Sequence, residues 1–459
     1  MPHAPARRSG AGAAPGRRRA AGQDRRSGGR RVRLALSAAR HAGRGQAQSR
    51  ARVRPCLPDL RRWSGPVSLP SVSIVLVNLN GRHHFPELFE TLRALDYPDE
   101  LLEIVMVDNA SVDGSLQWLD KHAPEARVLG CRQNHGFAGG VNSGVEASSG
   151  ELIVLLNTDM RVEPDWLREL VAPICSGEAE CTSSMTLSWD GKEVNFGGSA
   201  MNFHGIGWQV GMGDADIDRY RAPAETLFAC GGSMAIRRDV FDAVGRLDED
   251  FFAYYEDVDL GYRLWALGYR ILYVPSSVAF HHHMSTSRRI DVHKIRLLQM
   301  RNPLWLIYKN FDEHTLNKVL PAAMLVHAKR MSYVLALNDR GYRIDASDAR
   351  GRGRIHELFL KMRSKKRSVG IPPPAKADML ALDDFSAMLD GMHKKRALIQ
   401  SRRRRPDSDI VHLMRIPFWA VEKNPEFSHM IRALMVSFGL HEIFGTTEVV
   451  LDPRVASDR

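Results

Sequence analysis

None of the five cysteines (Cys56, Cys131, Cys175, Cys181 and Cys230) forms a CxxC pair, and their odd number leaves no complete disulfide framework. They fit free thiols of a reducing compartment rather than a thiolate metal site. No window approaches the roughly 18 uninterrupted apolar residues of a membrane span, so the expectation is a soluble or at most peripheral protein. GxGxxG and GKS/T are missing too, which argues against a dinucleotide fold or a P-loop. No internal repeat is visible, so a solenoid is excluded.

Lysine and glutamate are absent from residues 1–65, where 17 Arg face 2 Asp. That stretch carries +15 of a chain total of +11, leaving −4 for the remainder, so the basic pI belongs to the leader alone. With few large apolar residues it cannot bury a core, and residues 1–66 are expected to be a disordered basic leader. Three readings stay open for it: an arm for an anionic surface, a transit-like peptide, or translation from upstream of a true start near Pro66.

What is present begins at Ser71. The run from Ser71 to Asn78 is β-branched and apolar, as in a buried parallel strand; a helix is expected from Pro86 to Ala94, and a second strand from Leu101 to Val107. Glu151 to Leu156 is a further buried strand, Ser183 to Gly213 reads as antiparallel strands and loops, and Tyr269 to Val274 as a strand ending at Pro275. Strand, helix, strand begins a doubly wound α/β sheet. After about Asn310 the chain turns helical and basic, with Pro372 to Pro374 and Arg402 to Arg405 marking linkers.

Three strands end in polar clusters: Asn78 to Asn80, Asp108-Asn109, and Asn157-Thr158-Asp159. Ligands of open α/β sheets sit at the carboxyl ends of strands, so these should converge. Asp159 is placed to hold a hard cation against a diphosphate, and an Asx cap explains it equally. Asp108 can accept from a nucleobase or ribose edge, or simply shape the turn that follows. The segment from Gln133 to Gly144, with Asn134, has the look of a loose phosphate loop. His281-His282-His283 offers a second metal ligand, or polar filler. Downstream, Glu256, Asp257 and Asp259 form a tight acidic cluster before Arg263, whose spacing of four residues from Asp259 also suits a simple structural pair. Such a cluster needs a cation, hydroxyl or arginine to relieve repulsion, unless it is a solvated helix start.

In this order, VNLNG, VDNASVDGS, QNHGFAGGVNSG, LLNTDM, CGGSMAIRR, GRLDEDFFAYYEDVDLGYRLWALGYR and VPSSVAFHH resemble family 2 glycosyltransferases of the GT-A fold, in the rhamnosyltransferase-like branch. The resemblance covers residues 70–315. It implies a Rossmann-like nucleotide-diphospho-sugar transferase domain there, followed by a mainly helical extension over 316–459. By that resemblance Asp257 is the general base with Glu256 orienting, and Asp159 with His281 binds Mg2+ or Mn2+. Asn78, Asn80, Asp108, Asn109, Asn134, Asn157 and Arg263 face the donor. Asn157 stands where the family's first acid usually lies. Arg301-Asn302 and Lys309-Asn310 resemble the basic segment behind the catalytic domain, either touching the donor diphosphate or capping a helix.

The implied reaction is inverting transfer of a sugar, dTDP-rhamnose among the donors, to a growing surface or cell-wall glycan or a lipid-linked glycan. The QxxRW motif of processive synthases is absent, which favours a non-processive enzyme at the cytoplasmic side. Leu380 to Leu398 and Trp419 to Phe444 read as amphipathic helices, for packing or for peripheral contact with a membrane. No specific nucleic-acid partner is implied. Rival readings are a nucleotidyltransferase, which lacks its lysine behind the first strand, and a catalytically silent nucleotide-sugar-binding scaffold.

Overall fold

The computed structural model describes residues 69–282, 291–335, 371–420 and 425–451. The expected leader, residues 1–66, and His283 lie outside them. The N-terminal half of the sheet is parallel: β1 (Val72–Asn78), β2 (Leu102–Asp108), β3 (Ala126–Gly130) and β4 (Leu152–Asn157) lie in the order β4-β1-β2-β3. The apolar runs of β1, β2 and β4 are buried on both faces, as parallel strands require, while β3 lies at the edge and is only partly covered. Register places Asn78 opposite Asp108, and Val77 opposite Asn157, so the polar strand ends share one edge.

The sheet continues through β5 (Met160–Val162), β6 (Cys181–Ser188), β7 (Val194–Phe196), β10 (Ala224–Glu225), β11 (Ser233–Arg237) and β12 (Ile271–His281), while β8 (Ser199–Met201) and β9 (Gly207–Gln209) form a separate hairpin. Strand β11 is antiparallel to both β4 and β6, and β12 runs parallel to β6. Strand β12 does not end at Pro275 as expected but runs on to His281. A register shift between Val274 and Val278 takes up the proline, the kind of irregularity where a strand tolerates a missing N–H. That extension carries His281 beside Met160 of β5.

Helices α1 (Phe85–Arg93), α2 (Ser115–His122), α3 (Gly136–Glu146), α4 (Trp166–Cys175), α5 (Arg238–Ala243) and α6 (Glu256–Ala266) connect the strands. Helix α1 buries Phe85, Leu88, Phe89 and Leu92, one stripe at helical spacing. Alternation along β1 sends Ile74 and Leu76 to a cluster with Phe89 and Trp166, and Val75 to a second cluster on the opposite face.

That second cluster extends into α7 (Val292–Asn310), α8 (Glu313–Val334), α9 (Pro373–Ala387), α10 (Leu389–Arg402), α11 (Pro425–Ser437) and α12 (Leu440–Phe444). Two expectations are corrected. Pro373 and Pro374 open α9, where a missing N–H is harmless. Arg402 to Arg405 are no linker: the backbone of Arg404 and Arg405 donates to Ala266, and Arg405 also donates to the Gly268 and Tyr269 carbonyls, so this run closes the carboxyl end of α6. The stretch from Leu380 to Leu398 is two helices meeting at Met388, and Trp419 sits in a short strand, 2% exposed. Among the described residues no helix is long and apolar enough to cross a membrane.

Candidate active site

The strand-end asparagine Asn78 is fully buried, and its amide donates to Asp108 Oδ1 (2.7 Å) and to the hydroxyls of Ser111 and Ser115 (both 2.9 Å). Its Oδ1 accepts from Gly81 N at 3.0 Å. Asp108, 1% exposed, also accepts from Ser111 N at 3.0 Å, an Asx turn after β2. Asn78 occupies one of its oxygens and Ser111 the other, and a carboxylate has lone pairs for a further donor. Asn109, 2% exposed, donates to Gly136 O (2.7 Å) and accepts from His135 N (3.1 Å), tying the glycine-rich segment to β2. Asn80, at φ 56, accepts from Val112 N. Asn134 is exposed and accepts from Gly136 N, and Asn157 is half-buried.

Asp159 is 8% exposed, and its Oδ1 lies 3.3 Å from His281 Nε2. The two were far apart in sequence and are joined by the β5–β12 pairing. Among the described residues no cluster of three or more His, Cys, Asp or Glu forms a complete metal cage. An oxygen and a nitrogen this close fit a divalent cation whose other ligands come from phosphate and water, as hard cations at nucleotide sites commonly have.

The loop from Cys230 to Gly232 joins this edge to the acidic cluster. Gly231 N donates to Asp257 Oδ2 at 3.2 Å, and a Cβ on Gly231 would lie 3.3 Å from Asp257 Cβ. A Cβ on Gly232 would lie 3.0 Å from Asn157 Nδ2. The thiol of Cys230 is pushed up to about 12 by burial and then by the Asp257 and Asp159 carboxylates, which both face it. Asp257 and Asp159 thus flank one short loop.

The acidic cluster forms the first turn of α6 and is not a solvated helix start: Glu256 is 7% and Asp259 0% exposed. Burial, then the neighbouring Asp257 charge, pushes Glu256 up to about 8, and its Oε2 has no hydrogen-bond partner. Burial also raises Asp257, against the N–H groups of Gly231 and Val258 that hold its ionised form. The ionised form of Asp257 thus has N–H partners, whereas burial and the Asp257 charge penalise that of Glu256.

Arg263 departs from its expected donor side. It is 3% exposed, bonded through Nε to Asp259 Oδ2 (2.8 Å) and through Nη1 to Val244 O (2.7 Å), because the i, i+4 spacing folds it back along α6 into the core. Lys309 and Asn310 likewise stand behind the cluster: Lys309 Nζ contacts Asp248 and Asp259, and Asn310 donates to Asp259 Oδ1 at 2.8 Å. Burial alone would raise Asp248, but Lys309 and Lys395 hold it well below the usual carboxylate range. A buried charge with this many partners avoids the cost of an unpaired one.

Just before Glu256, Phe252 (φ 64), Tyr254 (φ 68) and Tyr255 (φ 70) all occupy left-handed backbone without being glycine. Phe252 has ψ −64, and Ala253 N donates to Phe251 O, a γ-turn of the strained hand. Such residues cost about 1–3 kcal/mol each and persist only where their surroundings hold them. Asn302, fully buried on α7, donates Nδ2 to the carbonyls of Phe251 (3.1 Å), Ala253 (3.0 Å) and Tyr254 (2.7 Å). Neither expected role of Arg301-Asn302 captures this. The dipeptide reads as a basic segment, and no local signal shows that its amide meets a loop some 50 residues earlier.

A mixed sheet with nucleotide-type loops at its carboxyl edge, an acid–imidazole pair there, and a buried carboxylate pair across a glycine seam define a GT-A α/β domain with a helical C-terminal region. Residues 73–245 match the model of Glycosyl transferase family 2, a match that ends short of the acidic cluster. Over 214 residues the chain is 28% identical to the low-salt glycan biosynthesis hexosyltransferase Agl10 of Haloferax volcanii, covering 45% of this chain and 66% of that protein. Over 253 residues it is 29% identical to the probable N-acetylgalactosaminyltransferase 7 of Caenorhabditis elegans, covering 49% and 42%. Among solved structures, GalNAc-T7 with UDP, GalNAc and Mn2+ aligns with 46% of this chain and 43% of its own at 22% identity and TM-score 0.41. These relatives are named for hexosyl and N-acetylgalactosaminyl transfer, not for rhamnosyl transfer.

Proposed function

We propose that the protein is an inverting, non-processive glycosyltransferase that moves a sugar from a nucleotide-diphosphate donor to a hydroxyl of a growing surface or cell-wall glycan, free or lipid-linked. The observation that carries this is the seam at Gly231 and Gly232, which abuts Asp257 on one side and the Asn157–Asp159 strand end on the other. Asp257 takes the acceptor proton as the acceptor oxygen bonds to the anomeric carbon and the bond to the nucleoside diphosphate breaks. Protonated Glu256 beside it cannot compete for that proton near neutral pH. Asp159 and His281 would hold Mg2+ or Mn2+, which supplies charge neutralisation for the departing diphosphate. Asn80, Asn134 and Asn157, the more accessible polar strand-end residues, would meet the donor directly, while Asn78, Asp108 and Asn109 shape its floor. The site would work at the cytoplasmic face, with the helical region near a membrane-borne acceptor.

The test is a turnover screen of UDP-, GDP- and dTDP-sugars, dTDP-rhamnose included, with Mg2+ and with Mn2+, beside calorimetry of nucleoside diphosphates. Asp257→Asn is expected to abolish transfer and leave donor affinity within about threefold, since its effect falls on the transition state alone. Asp159→Ala is expected to weaken donor binding only when the cation is present. Wild-type-like turnover by Asp257→Asn would sink the base assignment. Donor binding without turnover in the wild type would favour the silent scaffold.

A further inference from the structure

Asn302 is remote from every strand end, yet its one amide group gathers the carbonyls of Phe251, Ala253 and Tyr254. Its own Oδ1 is fixed by Arg301 Nε at 3.1 Å, and the Arg301 guanidinium lies over the Trp305 ring at 4.0 Å. Arg301 Nη2 also donates to the carbonyls of Asp250 (3.2 Å) and Phe251 (3.5 Å), so both side chains of the dipeptide hold the loop. The loop they grip contains the three left-handed residues and passes directly into Glu256 and Asp257. The opposite side of the same loop is just as tightly met: Ala138 N donates to Phe252 O, and a Cβ on Gly136 would sit 2.2 Å from that oxygen. The loop is thus gripped between the glycine-rich segment of the donor side and Asn302.

We infer that Asn302 is a positioning residue for transfer: by pinning residues 251–254 in a backbone they would otherwise leave, it sets the direction in which the first turn of α6 presents Asp257 to the acceptor hydroxyl. This rests on the reading of Asp257 as the base. Asn302 touches neither substrate, and its contribution lies in the approach geometry, where a misplacement of about 1 Å costs on the order of a hundredfold in rate.

The experiment compares the full-length wild type, Asn302→Ala, and the double variant Asn302→Ala with Phe252→Gly, reading kcat, donor Kd by calorimetry and Tm. Asn302→Ala is expected to lose about a hundredfold in kcat with donor Kd within about threefold. The added glycine adopts φ 64 without a Cβ, so the double variant should recover about tenfold or more of that loss. A purely structural role predicts no such recovery. Should Asn302→Ala not fold, Asn302→Ser, which keeps one donor, carries the test and should show an intermediate kcat loss at unchanged donor Kd. A kcat within twofold of wild type in the single variant, or a loss shared equally by donor Kd, overturns the inference alone. A wild type that turns over no donor overturns the transfer reading and this inference with it.

Discussion

Glu256 and Asp257 are neighbours on one helical turn but meet unequal surroundings. Asp257 receives two backbone N–H groups, whereas Glu256 Oε2 is buried with none, so the surroundings favour the ionised form of Asp257 over that of Glu256. This separation has a thermodynamic consequence. A carboxyl near 8 in the folded state and near the ordinary glutamate value of 4.5 when unfolded binds its proton more tightly when folded. Its contribution to stability is complete below the unfolded value and is lost as pH rises through about 8. Glu256→Gln removes that dependence. We expect the variant to gain in Tm over wild type at pH 9 while matching it near pH 5, by thermal melts across that range. A parallel pair of melting curves with no divergence above pH 7 would show that Glu256 ionises without penalty.

Helix α3 and the 252–255 loop depend on each other through a glycine. Gly136 has φ +74, and a methyl group there would meet Phe252 O at 2.2 Å. A left-handed alanine costs about 1–2 kcal/mol before any clash, so Gly136→Ala should destabilise by about 3 kcal/mol or more and lower both donor affinity and kcat. Urea unfolding with donor calorimetry checks it, and an unchanged midpoint would mean the loop yields freely. The same contact explains what was readable beforehand. Strand ends at Asn78, Asp108 and Asp159 were legible because a parallel sheet puts its loops at one edge whatever its long-range detail. The role of Asn302 was not, since its partners are backbone carbonyls that leave no residue-type signature. Arg263 carries two readings, the donor side or a pair with Asp259 four residues earlier, and only its burial decides for the pair. Pro275 marked a strand end by propensity, and only the register shift against β6 shows the strand passing through it.

The division of the chain at residue 315, natural by composition, cuts one apolar cluster. Tyr262 and Phe311 share it with Met392, Ile410, Leu413, Met414 and Phe418, all at most 6% exposed. Polar bonds cross the same boundary: Arg396 donates to the Tyr308 and Phe311 carbonyls, and Lys395 reaches Asp248 and Asp250. Burying one large apolar side chain contributes about 1.5–3 kcal/mol. Losing the five supplied from beyond residue 315 would remove an amount comparable to the whole stability of an ordinary domain, about 5–15 kcal/mol. Removal of the C-terminal helices would also leave Asp248 with one lysine fewer. A fragment of residues 70–315 is therefore expected to lack a cooperative urea transition and to aggregate, although it contains every side chain assigned to catalysis. The full chain should unfold cooperatively under the same conditions. A sharp single transition and retained nucleotide binding in the fragment would mean that the helical region covers the sheet domain without completing its core. The opposite result would make the C-terminal helices part of the active site's support, reaching it through α7 and the loop that Asn302 holds.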